Sequence, residues 1–331
     1  YSLTAKTDFA GVYNSANKKE DFNLYLNTKN FDRISKALCL ESTDLKKQAE
    51  WMQWDIDLSK NGILFSGISL SHDSLAQELS FFEGNNAHEV IAPSILPKNT
   101  ALFISKSFEN FKQIQRKQLG ALNYNHQQNT YTKNLVGLET DLKSTFESWI
   151  DSEITWFLAE NSNLLGEGLI IHITNESEIE DFIHQKADSI FDYRGEPIFK
   201  WNKLAYIGTL CGSSTSTKFK YGTLLDEQLV LTSDLALLKN LINDFKANKS
   251  LSQSEDYINC MEELTTNSNL LIYLQNPSAL QLAPKYLTAQ ISNYFKLYAS
   301  SLQPFRAFAI QFDASSSICY SNAYLHFDKS K

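Results

Sequence analysis

The sequence predicts an α+β fold: largely antiparallel sheets of repeated β-α-β-hairpin units, with helices packed on one face of each sheet. Two observations lead to this prediction. Short runs that alternate apolar and polar residues, typical of hairpin strands, are separated by segments with apolar residues at helical spacing. The chain also repeats itself, because aligning Ser2 with Ser250 aligns further residues without a gap: Asp8-Phe9 with Asp256-Tyr257 and Tyr25-Leu26 with Tyr273-Leu274.

The repeat predicts the domain organisation. Residues 1–72 form the C-terminal half of a first repeat module, 73–97 a linker with a short helix, and 98–331 a complete second module. Since Tyr1 corresponds to Lys249, in mid-module, we expect the parent chain to continue upstream with a hairpin and helix resembling Tyr221 to Lys249. Chance similarity between amphipathic segments is the alternative.

In the first module, a helix over Thr7 to Asn17 precedes a half-buried strand, Phe22 to Asn27, with Phe22 and Leu24 on its apolar side. Asn30 caps a helix that packs on the sheet. From Glu50 onward, two alternating runs flank Asn61-Gly62, the dipeptide that best accepts a type I′ turn.

The second module opens with a strand at Ala101 to Ser105 and a helix at Phe108 to Leu119. Asn175 and Ser233 are predicted helix caps, and Asp226-Glu227 a turn. The other predicted elements are a helix at Leu138 to Trp149, hairpins at 154–174, 197–209 and 218–232, helices at 175–189, 234–249 and 286–300, a strand at 270–275, and a closing hairpin at 305–327.

Composition excludes several classes of protein. Hydrophobic residues make up 43% of the chain and aromatic residues 12%, which a disordered chain does not have. The net charge is −8 and Lys and Arg form no long run, so nucleic acid is not expected as a partner. No apolar run approaches the roughly 18 residues of a membrane helix, so no membrane insertion by this segment is expected.

The cysteines do not indicate a metal site. Cys39, Cys211, Cys260 and Cys319 are far apart, without a C-x-x-C pair or a histidine at zinc-like spacing. We therefore expect no metal and no cofactor. Free, buried thiols are favoured, and a disulfide is left open with three pairings.

Few residues suggest chemistry. Asp55 and Asp57 share one face of a strand, where they either bind a cation or are solvated. His172 and His184 are lone histidines that the fold could bring together. Near Trp149 and Trp156, the acids Asp151 and Glu153 could have a pKa raised by partial burial or could accept hydrogen bonds from backbone amides.

Neither a catalytic signature nor a phosphate loop is present. The segment Gly212 to Thr217 is a mobile-loop candidate that lacks the order of a phosphate-binding loop. No catalytic, cofactor-binding or metal-binding residues are therefore assigned, and an enzyme is the least favoured class.

Four segments carry a resemblance to a known family: LPKNTALFISKSFENF, FESWIDSEITWFLAE, YGTLLDEQLVLTSDLALLKNLINDF and NSNLLIYLQNPSAL. Together they resemble an uncharacterised, domain-of-unknown-function family found in Bacteroidetes. The resemblance implies a periplasmic or outer-membrane-associated setting, a signal or membrane anchor upstream, and other envelope proteins as partners. Where that family commonly has a Gly-Asp/Asn-Glu run, this chain has Asp151-Ser152-Glu153.

The expected function is a non-enzymatic protein-interaction or scaffold module of the cell envelope, part of a larger protein or complex. The alternative is a groove between sheet and helix that holds a lipid or another apolar ligand, since 21 Phe and 15 Tyr are generous for a core. Ser74 and Ser189 follow aspartate and precede an apolar residue, which resembles the short O-glycan acceptor site of Bacteroidetes envelope proteins.

Overall fold

The structure is a computed structural model that describes residues 7–20, 22–28, 30, 49–71, 77–124, 140–161, 164–204, 207, 211, 219–314 and 318–328. Contacts divide the chain into unit 1, Tyr1–Ala87 with Glu255–Lys331, and unit 2, His88–Ser254. This division is based on contacts between residues, whereas the predicted domain boundaries at residues 72 and 97 are based on the internal sequence repeat. The repeat-based domains stay a prediction.

Unit 1 begins with a helix and a three-stranded antiparallel meander. Its elements are the helix Thr7–Ser15, strands β1 (Phe22–Asn27), β2 (Trp51–Leu58) and β3 (Gly62–Leu70), and a 3-10 helix, Glu78–Phe82. β1 pairs with β2 and β2 with β3, both antiparallel. The predicted strand and hairpin are confirmed.

Unit 2 is a seven-stranded antiparallel arrangement in the order β5-β6-β7-β11-β10-β9-β8. The seven strands are β5 (Thr100–Ser107), β6 (Ile150–Asn161), β7 (Leu164–Ile173), β8 (Ser189–Tyr193), β9 (Glu196–Lys200), β10 (Tyr221–Leu225) and β11 (Gln228–Thr232), and the short strand β4 (His88–Glu89) precedes them. Its helices are Phe111–Tyr124, Thr140–Trp149, Glu176–Lys186 and Leu235–Lys246, with 3-10 helices Ala92–Ser94 and Leu251–Gln253.

The chain then completes unit 1. The added elements are the helices Glu255–Met261, Ala283–Tyr286, Ala289–Leu297 and Ala299–Leu302, the 3-10 helix Ser278–Leu282, and strands β12 (Asn267–Ser268), β13 (Leu270–Gln275), β14 (Phe305–Asp313) and β15 (Ile318–Phe327). β15 pairs with β3, so the order is β1-β2-β3-β15-β14-β13, with every pairing antiparallel. The antiparallel α+β class is confirmed.

Matched aromatic pairs hold the helices of unit 1 on its sheet. The Phe9 ring lies 5.5 Å from the Tyr25 ring of β1, in an edge-on contact. At the positions that the repeat aligns with these two, Tyr257 lies 5.3 Å from Tyr273 of β13, again edge-on. The likeness supports the proposed repeat, but repetition of the whole β-α-β-hairpin unit stays a prediction.

Helices cover both faces of unit 2, not one face as the sequence predicts. The helix Leu235–Lys246 packs over Gly166 of β7, where a Cβ would lie 2.8 Å from a leucine methyl of that helix. The helix Glu176–Lys186 faces Phe199 of β9, and the strand register places Gly166 and Phe199 on opposite faces. The physical reason is that all five residues of β11 are buried, so both of its faces need cover.

The prediction of a type I′ turn at Asn61-Gly62 is wrong. Neither residue is among the described residues with positive φ, and the Ser59 N–H instead donates to the Gly62 carbonyl (2.9 Å). Glycine is needed at position 62 because a Cβ there would overlap the Tyr324 ring. Sequence alone could not distinguish these two uses of one glycine.

The predicted hairpin at 197–209 is also wrong. β9 pairs with β8 across the two-residue turn Arg194-Gly195, where φ is 59° and 84°, and on its other side with β10. Two consecutive positive φ angles match the twist of a tight hairpin. Gly195 supplies one of them at no steric cost, a signal that the sequence contained.

Of the three predicted helix caps, Asn30, Asn175 and Ser233, Asn175 is confirmed. The Asn175 side chain accepts a hydrogen bond from the Glu178 N–H (3.3 Å). Asp234, not Ser233, caps the helix Leu235–Lys246, through a bond from the Ala236 N–H (2.8 Å). Most of the predicted Asn30 helix, the segment Gly212 to Thr217, Cys39 and Ser74 lie outside the described residues.

Candidate functional site

Glu153 is the most buried of the acids that sequence reasoning singled out. Its side chain is 2% exposed, and its oxygens accept hydrogen bonds from the Ile91 N–H (2.7 Å), the Ala92 N–H (3.3 Å), Ser105 Oγ (2.9 Å) and Thr155 Oγ1 (2.6 Å). Burial raises the pKa of this carboxyl, against the four hydrogen bonds, which lower it. Glu153 therefore anchors the Ile91-Ala92 backbone to β5 and β6.

Asp151 and Ser152 meet His172 across β6 and β7. Asp151 Oδ2 lies 3.0 Å from His172 Nδ1, and Ser152 Oγ lies 2.8 Å from the same nitrogen. A Ser-His-Asp relay needs the serine and the aspartate on different ring nitrogens. The group lacks that geometry, and His184 has a different neighbour, Glu180, with Nε2 and Oε1 3.9 Å apart.

Asp55 serves the fold. Its carboxylate accepts hydrogen bonds from the Asn17 N–H (3.0 Å), Asn23 Nδ2 (2.7 Å) and Gln53 Nε2 (2.7 Å). These bonds join the segment after the first helix to β1 and β2. Within the described residues, no group of three or more His, Cys, Asp or Glu side chains could hold a metal ion.

The described cysteines are free and buried: Cys211, Cys260 and Cys319. Burial raises the pKa of all three thiols, that of Cys260 to about 12. A thiol reacts as the thiolate, so these residues behave as small apolar side chains.

Ser189 is exposed at the start of β8. O-glycosylation of Ser189 and of Ser74 stays a prediction.

A small cleft lies between the helix Glu176–Lys186 and the sheet of unit 2. Ile183, Ile190, Pro197 and Phe199 contribute to its walls, and its volume is about 10 Å³. That volume holds about one water molecule. The cleft is too small for the lipid that the alternative function requires.

An exposed apolar surface lies at the β1 end of unit 1. Phe22 is 57% exposed, Leu24 41% and Leu58 62%. The register of β1 and β2 places these three side chains on one face, opposite Tyr25, which contacts the first helix. We call Phe22, Leu24 and Leu58, together with Trp54, the β1 surface.

Trp54 adds an unpaired donor to this surface. Its side chain is only 8% exposed, it lies opposite Leu24 in the strand pairing, and its indole N–H has no partner among the described residues. The nitrogen itself is buried, so it is not available to a molecule bound on this surface.

The β1 surface borders an open strand edge. Among the described residues, β1 pairs with β2 alone. A strand edge that ends in unpaired backbone groups can accept a strand from another chain. Sequence reasoning missed this site because it placed Phe22 and Leu24 in the half-buried face of β1, whereas Tyr25 faces the covered side.

Comparisons with known proteins agree with part of the resemblance. Residues 168–302 match the family model described as "Protein of unknown function (DUF3352)". The match confirms a domain of unknown function in this chain, whereas the Bacteroidetes origin stays a prediction. No curated protein matches the sequence.

One solved structure is similar over much of the chain. It is titled "Structure of crystal form I of TP0453", has 9% sequence identity, and the similarity covers 73% of this chain and 81% of that one. The TM-score is 0.29, too low for any argument about fold or function. In the described part of the chain, no helix is long and apolar enough to cross a bilayer.

Proposed function

We propose that the chain is a non-enzymatic protein-interaction module that binds its partner at the β1 surface. The observation that carries the proposal is the exposure of Phe22, Leu24 and Leu58 beside the open edge of β1. A partner strand would extend the antiparallel sheet, because main-chain hydrogen bonds give affinity in this mode of recognition and side-chain contacts give selectivity.

The same contact would cover the apolar side chains of Phe22, Leu24 and Leu58. Buried aromatic and aliphatic side chains at the centre of an interface contribute most of its binding free energy. Phe22, Leu24 and Leu58 would become side chains of this kind.

The envelope setting is part of this proposal and rests on the sequence resemblance. In this setting, a periplasmic or outer-membrane-associated module would recognise another envelope protein through the β1 surface. The alternative, a lipid-binding groove, finds no support in the cleft beside the helix Glu176–Lys186, whose volume of about 10 Å³ is too small for a lipid.

The test is native purification of the tagged full-length parent protein from its source organism, with quantitative identification of the proteins that co-purify. The variant Phe22→Ser/Leu24→Ser/Leu58→Ser should lose at least about tenfold of the bound partner, because central apolar contacts dominate binding. Ile258→Ser/Tyr320→Ser is the matched control, since Ile258 is 41% and Tyr320 58% exposed elsewhere on unit 1. The control should retain the partner.

Retention of the same partner by the triple variant would contradict the proposal. Circular dichroism and thermal unfolding of both variants check that they fold. Loss of the partner from both variants alike would also contradict it, because binding would then not be specific to the β1 surface.

A further inference from the structure

The helix Ala289–Leu297 presents apolar side chains to solvent. Tyr294 is 51% exposed, Leu297 70% and Tyr298, at its C-terminal end, 53%. Ser292 is the buried residue of this helix. An amphipathic surface helix normally buries its apolar side and exposes its polar side, whereas here apolar side chains are exposed together with the polar Asn293 and Lys296.

The exposed side chains form one stripe. Tyr294 and Tyr298 are one turn apart, and their rings stack with centroids 6.4 Å apart and planes at 10°. Leu297 lies beside them on the helix surface, given 3.6 residues per turn. We call Tyr294, Leu297 and Tyr298 the aromatic stripe.

Charge around the stripe differs from charge in the rest of the chain. The whole chain carries a net charge of −8, yet no Asp or Glu occurs from Leu264 to Phe312. The basic residues of that stretch are Lys285, Lys296 and Arg306, and Arg306 is paired with Asp256 (3.0 Å). Lys285 and Lys296 are exposed on the helices that carry or adjoin the stripe.

The helices next to the helix Ala289–Leu297 also lack Asp and Glu. The main contacts of that helix are with the helices Ala283–Tyr286 and Ala299–Leu302, which lie in the same acid-free stretch.

We infer that the aromatic stripe docks on the surface of an anionic lipid bilayer. Tyrosine places an apolar ring against acyl chains and a hydroxyl among headgroups. Leucine adds apolar area, and lysine binds anionic headgroups through its charged end. A helix of this composition lies in the plane of the interface and does not span the membrane.

The inference goes beyond the proposed function and does not depend on it. It assigns to unit 1 a second surface, which would hold the module against a membrane while the β1 surface binds protein. The net charge of −8 opposes general adsorption to an anionic bilayer. Binding of this chain to an anionic bilayer therefore has to occur through a limited surface, the aromatic stripe and its lysines.

The test is co-sedimentation of residues 1–331 with vesicles, at low salt, of phosphatidylcholine with and without an equal part of phosphatidylglycerol. Wild type should bind the mixed vesicles and not phosphatidylcholine alone. Tyr294→Ser/Leu297→Ser/Tyr298→Ser should lower the partition coefficient at least about tenfold, since the buried apolar area is lost. Lys285→Gln/Lys296→Gln should lower it about fivefold for each lysine.

The triple serine variant of the β1 surface is the matched control and should bind vesicles as wild type does. Circular dichroism and thermal unfolding verify that each variant is folded. Three results would overturn the inference: no binding of wild type to mixed vesicles, equal binding by the aromatic-stripe variant, or equal binding by the lysine variant. A wild-type dimer that the aromatic-stripe variant dissociates, without vesicle binding, would assign the stripe to a second copy of this chain instead.

Discussion

At the scale of single residues, burial decides how Glu153 behaves. A carboxyl group that is 2% exposed has a charged form that water cannot stabilise, and burial raises its pKa. Its four donors make the ionised form tolerable, and they also make the side chain a structural tie between a loop and two strands. A strongly shifted carboxyl group can mark catalysis, but Glu153 has a structural explanation.

We predict a pH signature for Glu153→Gln. Since the pKa is raised on folding, the native protein binds more protons than the unfolded chain between the ordinary and the raised pKa. Wild-type stability relative to the Gln variant is therefore highest below the ordinary glutamate pKa and falls as pH rises through the raised one. Urea unfolding of both proteins from pH 4 to pH 8 measures this difference.

Parallel pH profiles of the two proteins would refute the prediction. Asp57→Asn, on the exposed end of β2, controls for loss of one carboxylate. At neutral pH, Glu153→Ala should cost about 2–4 kcal/mol, because it leaves the Ile91 and Ala92 N–H groups without acceptors.

At the scale of elements, two hairpins show how turn chemistry is used. The β10-β11 turn has φ of 49° at Asp226 and 59° at Glu227, which asparagine and glycine adopt with less strain. Asp226→Asn/Glu227→Gly should raise the free energy of unfolding by about 1 kcal/mol. Chemical denaturation of wild type and variant measures it.

The control puts the same dipeptide into the β2-β3 connection, as Lys60→Asn/Asn61→Gly. Neither Lys60 nor Asn61 has positive φ, so no gain is expected there. A gain at both turns would show that the effect does not depend on positive φ angles in the turn, and would contradict the prediction.

At the scale of the whole molecule, the strand pairing decides which segments fold alone. All pairings of β5 to β11 within unit 2 lie inside His88–Ser254, whereas β3 of unit 1 needs β15 from the far end of the chain. We predict that residues 88–254, expressed alone, unfold cooperatively in urea. Residues 1–87 alone should not, because they lack β13, β14 and β15, half of the strands of the unit 1 array.

Circular dichroism and limited proteolysis of the two fragments measure this. Full-length protein, digested in parallel, is the control. Protease resistance of residues 1–87 equal to that of 88–254 would contradict the prediction.

The sequence by itself determined the class of fold and most of the strands. Alternation along Phe22–Asn27 and across the hairpins is a local property, and it fixes which side chains share a face. The Asn175 cap is local too. Helical spacing likewise identified the helix Leu235–Lys246, which the structure confirms.

Only the tertiary structure decided which face of each strand is covered. Alternation separates Phe22 and Leu24 from Tyr25 but does not say which side a helix will occupy, because that depends on residues far away in the chain. In unit 1 the helix covers Tyr25 and leaves Phe22 exposed. The burial of Glu153 is decided in the same way, since its donors at Ile91 and Ala92 are distant in sequence and only the fold brings them together.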